Sequence, residues 1–66
     1  MSDPIFSPSE LAGCARRELR MRERVYPRWI ERDKMRQEDA DRELALMRAI
    51  VALLEERERQ HAPELF

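Results

Sequence analysis

Glycine, cysteine and histidine each occur once in these 66 residues, as Gly13, Cys14 and His61. A lone cysteine excludes an internal disulfide, and a lone histidine leaves no ligand set for a structural metal. No nucleophile stands at a meaningful spacing from a base, and paired carboxylates such as Glu55 and Glu56 read as ordinary surface residues. No catalytic residue, cofactor or metal site is therefore expected. Long apolar runs are missing as well. The longest, Leu44 to Leu54, contains Arg48 and is about half the length that a bilayer crossing requires. MSDPIFSPSE at the start has no positive charge followed by an apolar stretch, so it does not read as a signal peptide. Nor does one sign of charge dominate. Thirteen basic and fourteen acidic residues give a net charge of −1, which weighs against nucleic acid as a partner. The expectation is a cytoplasmic protein with no membrane association. There Cys14 is a small apolar contact; in an oxidising compartment it would be a link between subunits.

A chain of this length makes one domain at most and buries too small a share of its surface for a generous core. With disulfides and metals excluded, self-association is the remaining staple.

What the sequence does hold is charge and helical spacing. Charged residues are 41% of the chain, the composition of a solvated helical protein. Ala40, Leu44, Met47, Val51 and Leu54 recur at alternating steps of four and three, which places them on one seam of an α-helix. Leu46, Ile50 and Leu53 run beside that seam, and Ala45, Ala49 and Ala52 fall on the remaining face. The two apolar lines cover about half of the helix surface at about 100° per residue. One neighbouring helix cannot cover that much.

Ahead of it, Ser7-Pro8-Ser9-Glu10 has the form of a capping box. Ser7 is the N-cap, Pro8 takes the first helical position where its missing N–H costs nothing, and Glu10 reaches back from the third. Phe6 and Leu11 occupy the two ends of a hydrophobic staple. From Pro8 onward Leu11, Cys14, Ala15, Leu19, Met21, Val25, Tyr26, Trp29 and Ile30 share one arc of about 180°. Counting straight through Pro27 returns Trp29 and Ile30 to that arc, which predicts a kink there rather than a stop. The spacing gives helices over 8–31 and about 37–60, each roughly 36 Å long. The short connection at 32–36 turns them antiparallel, with Asp33 left-handed at the end of the first. Met35 staples toward Ala40, and Glu38, Asp39 and Asp41 offset the poor N-cap Arg36 by their charge. Pro63 marks the end of the second helix, and Phe66 either folds back or is free.

The expected fold is thus all-α, an antiparallel helical hairpin dimerising into a four-helix bundle. Its dimer core is Leu19, Leu44, Met47, Ile50, Val51 and Leu54. The first helix carries seven arginines against four glutamates over 8–32, the second five arginines against seven acids over 36–61. The helices are electrically complementary, which aids pairing and solubility. Arg16, Arg17, Arg20, Arg24 and Arg28 also line one side of helix one, a stripe suited to an acidic protein surface or, less well, to phosphates. Candidate partner-binding residues are Arg16, Arg20, Arg24, Arg28, Tyr26 and Trp29. The two aromatics serve either as an anchor for a partner or as a plug for the turn end. Glu18 and Arg22, one turn apart within the apolar arc, either reach to its edge or fix the register between subunits.

The run Met21-Arg22-Glu23-Arg24-Val25-Tyr26-Pro27-Arg28-Trp29-Ile30, followed by Lys34-Met35, Ala40-Asp41-Arg42-Glu43 and Met47-Arg48-Ala49-Ile50, resembles a family of small proteins encoded by temperate phages and prophages. The resemblance spans residues 18–55. Asp33 stands where the family pattern has glycine, and Arg36 where it has serine or threonine. Small helical-hairpin proteins of this kind from Pseudomonas phages include a quorum-sensing anti-activator. It binds a LuxR-type transcription factor and a type IV pilus assembly ATPase. The resemblance implies a role of that kind, binding and disabling a host bacterial protein. The competing expectations are a nucleic-acid accessory factor and a purely structural oligomer.

Overall fold

In a computed structural model the described residues, 5–61, form two helices, α1 (Pro8–Glu31) and α2 (Gln37–His61). They pack against each other as a hairpin, and no strand occurs among the described residues. The sequence readings on Met1 to Pro4, Pro63 and Phe66 lie outside these residues.

α1 begins as its sequence dictates. The Ser7 hydroxyl accepts from the Glu10 N–H at 3.1 Å, and the Glu10 carboxylate accepts from the Ser7 N–H at 2.8 Å. Two donors that the first turn would otherwise leave bare are thereby satisfied. The helix then passes through Pro27 without a break. Proline removes the N–H that would have bonded to the Glu23 carbonyl, but the residues on either side are held: Tyr26 is buried, and its ring lies 5.6 Å from that of Trp29, tilted by 37°.

Asp33 closes α1 with φ at 60°. Its N–H reaches the Ile30 carbonyl at 3.0 Å, while the Lys34 N–H reaches that of Trp29 at 2.7 Å. This crossed pair is the Schellman arrangement, which satisfies two terminal carbonyls and reverses the chain. On the far side of the turn, Glu38 and Asp39 in the first turn of α2 face the positive end of its dipole. Arg36 pairs with Asp39 at 3.3 Å.

The hydrophobic contents are small. Ala12, Ala15, Tyr26, Ala40, Met47 and Val51 are buried, half of them alanine, and no large side chain is completely enclosed. Ala15, Met47 and Val51 form the central cluster, with Leu19 and Leu54 packed against it. Alanine at the contact lets the helices approach closely, but it contributes little buried area.

Met47 and Val51, two of the six residues expected in the dimer core, pack within one chain, closing α2 onto α1 with Leu19 and Leu54 beside them. Leu44 is half-buried. Of the six expected dimer-core residues only Ile50 is exposed, at 45%. The seam 40-44-47-51-54 is the one that meets α1, because an antiparallel neighbour needs a single narrow line and this is the line carrying the smallest residue, Ala40. The parallel line Leu46, Ile50 and Leu53 is left facing water, at 46%, 45% and 72% exposure.

Candidate functional site: two unlike faces of a flat hairpin

Two helices side by side make a slab one helix thick. The shortest dimension is 15 Å, so both broad faces of the hairpin reach solvent. The cross-helix contacts show what each face is made of.

One face carries ion pairs between the helices. Arg16 donates to Glu55 at 2.9 Å and lies 3.4 Å from Glu58, which also accepts from the Ser9 hydroxyl at 3.0 Å. Arg48 of α2 reaches back to Glu23 of α1 at 3.2 Å. The hydrogen bond to Glu55, more than any other influence, holds the Arg16 guanidinium above its ordinary pKa, against a partial opposing effect of desolvation. A guanidinium is charged at every physiological pH regardless, so this clamp does not switch through its own titration.

The other face is apolar. On α1 the ridge Leu11, Cys14, Glu18, Met21, Val25 and Trp29 advances in steps of three and four, and on α2 the ridge Glu43, Leu46, Ile50, Leu53 and Arg57 does the same. Contacts at both ends fix the two ridges on the same side. Near the open end Phe6, Leu11, Leu53 and Arg57 line one hollow. Toward the turn, a groove is lined by Glu18, Met21, Arg22, Val25, Trp29 and Glu43. Leu11, Trp29, Leu46, Ile50 and Leu53 are all exposed, and Met21 sits at the edge of exposure.

A polar trio interrupts this face within the groove toward the turn. Arg22 donates to Glu18 at 2.7 Å and lies 3.7 Å from Glu43 across the helix gap. Its guanidinium is held above the ordinary value, by the Glu18 hydrogen bond first. The Glu18–Arg22 pair is thus half-buried, stretched over the groove, with a third member on α2.

The candidate partner-binding residues divide. Arg16 is engaged within the chain by Glu55 and Glu58, and Tyr26 is buried, so neither presents a free surface. Trp29 is 44% exposed on the apolar face. Tyr26 plugs the hairpin while its neighbour stays open to contact. Arg20, Arg24 and Arg28, together with Arg17, are exposed, and none forms an ion pair with an acid among the described residues.

Glu55 and Glu58 were missed as contacts between helices. A signal for them exists: Glu55 lies four residues beyond Val51 and Glu58 four beyond Leu54, on the flank of the buried seam. Cys14 is an exposed thiol. Among the described residues no three His, Cys, Asp or Glu side chains are grouped to hold a metal ion, and no helix is long and apolar enough to cross a membrane.

No family model, curated protein or solved structure matches the chain.

Proposed function

We propose that this hairpin is a binding protein without catalytic activity, which pairs with a second copy of itself through its apolar face and uses the surfaces left outside to engage another protein. The observation that carries the reading is the ridge pair Leu11–Trp29 and Leu46–Leu53, exposed along one side of a molecule half of whose buried residues are alanine. Apolar surface on that scale, in a chain with no other staple, is what a second copy would cover. Two slabs apposed by these faces form a four-helix bundle, with Met47 and Val51 inside each hairpin and Leu46, Ile50 and Leu53 between them.

In this reading the protein works by occupancy: it binds a host bacterial protein and blocks it. The resemblance to small phage proteins supports that role, with a LuxR-type regulator or a pilus assembly ATPase as the implied class of target. The mixed charge and helical faces suit protein contacts.

Sedimentation equilibrium from micromolar to nanomolar concentration tests the pairing. A dimer that dissociates to single chains on dilution is the expected result. Well-folded single chains at micromolar concentration would sink it. Purified LuxR-type regulator and pilus ATPase, each titrated with the protein, test the targets; no change in operator binding or in ATP hydrolysis removes both.

A further inference from the structure

Arg17, Arg20, Arg24 and Arg28 follow one another at steps of three, four and four along α1. Arg17 lies two residues beyond buried Ala15 and Arg28 two beyond buried Tyr26, a rotation of about 200° that turns both away from α2. All four are exposed. The remaining cation of the sequence stripe, Arg16, is drawn off to α2 by Glu55 and Glu58. Arg22 and Arg48 are likewise taken by Glu18, Glu43 and Glu23. Among the described residues Arg17, Arg20, Arg24 and Arg28 enter no ion pair, while Arg16, Arg22 and Arg48 do.

Such an arrangement works against the helix. Like charges one turn apart destabilise it by a few tenths of a kcal/mol per pair, and the stripe contains three such neighbouring pairs, none of its arginines being held in an ion pair among the described residues. A surface kept in this state suits a complementary surface that arrives from outside.

From the binding-protein reading above, and resting on it, we infer that the arginine edge of α1 is the docking surface for an acidic helix of the partner protein. Its carboxylates would recur at every fourth residue along one side. Consecutive arginines of the stripe rise by about 6 Å for each four-residue step, the same advance as carboxylates at that spacing on a facing helix. Guanidinium forks pair with carboxylates through two parallel hydrogen bonds, a geometry that lysine cannot supply. The stripe is also bounded. Glu10 precedes it on the same arc, and Glu31 follows one turn after Arg28. A nucleic-acid backbone continues past any site this short and would meet both acids, whereas a partner helix of about three turns ends where the stripe ends. Pairing of two copies through the apolar faces leaves this edge on the outside of the bundle.

The test uses the full-length protein and two alanine-based helical peptides of the same composition. One carries glutamate at every fourth position on one side; in the other the glutamates are spread around the helix. A short DNA duplex is the third probe. Fluorescence anisotropy should show the one-sided peptide binding at least about tenfold more tightly than the spread one. Arg24→Glu with Arg28→Glu should abolish that difference, and Arg20→Gln, Arg24→Gln and Arg28→Gln together should reduce it, with circular dichroism unchanged. Equal affinity for the two peptides overturns the proposal. So does tighter binding to the duplex, or an undiminished preference in the folded glutamine variant. Sedimentation of the same samples reports on self-pairing independently, so loss of the dimer and loss of peptide recognition are read separately.

Discussion

Three residues set local terms that the rest of the hairpin inherits. Asp33 sits at φ 60°, where a β-carbon is strained and aspartate is among the few residues with a side chain that adopt the conformation at all readily. Replacing it by glycine should raise stability by roughly 0.5 kcal/mol, while alanine should lower it by about 1 kcal/mol, both read from urea unfolding. Gly13 presents the opposite case. It lies inside α1, its φ is not positive, and a methyl group there would meet only the Arg17 Nη1 atom, at 3.5 Å. Gly13→Ala should therefore stabilise the protein by about 0.5–1 kcal/mol through the backbone alone. An unchanged midpoint would mean that α1 is not a continuous helix in the native state. Ser7→Ala removes the hydroxyl that accepts from Glu10 N–H and should cost about 1 kcal/mol in the same measurement.

At the scale of the element, what the sequence discloses depends on how local the determinant is. The start of α1 at Pro8 follows from four adjacent residues, and its end at Glu31 from the turn chemistry around Asp33. Passage through Pro27 follows from the uninterrupted phase of Trp29 and Ile30. Which of two adjoining apolar lines on α2 meets α1 is another kind of question. Met47–Val51 and Ile50–Leu53 are equally apolar and differ in position by less than a turn, so periodicity alone does not choose between them. Arg16 was similarly ambiguous: a long side chain at the rim of the buried seam can turn outward or span the gap, and Glu55 decides it. The division of labour now visible on α2 can be measured. Val51→Ala, which hollows the Ala15–Met47 cluster, should destabilise each chain by about 1–2 kcal/mol. Ile50→Glu with Leu46→Glu should leave the intrachain core intact and shift sedimentation to the monomer. Its thermal midpoint should then no longer depend on protein concentration. If Val51→Ala instead left stability unchanged and Ile50→Glu with Leu46→Glu prevented helix formation in chains held together by a covalent tether, the assignment of the two lines would be reversed.

Taken whole, the molecule is a slab with one greasy side, one clamped side and one cationic edge. The clamped side is fastened by Arg16, Arg48 and their glutamates at partial exposure, and pairs of that kind contribute modestly and are screened by salt. Raising the ionic strength should accordingly loosen the hairpin slightly and leave apolar pairing unweakened. A dimer that dissolved in high salt would point to the charged faces as the contact instead. The trio Glu18, Arg22 and Glu43 lies on the apolar side, toward the turn, and a two-fold apposition whose axis passes through it would bring the two trios together.

The hairpin's layout has a consequence for how the chain can be rewired. Phe6, before α1, and His61, at the close of α2, line the same hollow, so the described chain returns to its starting point. A short bridge between those positions and a cut beside Asp33 would produce a circular permutant whose second helix is synthesised first. Because the packing of Ala15, Met47 and Val51 does not record the order in which the helices were made, that rearranged chain should reach the same folded state.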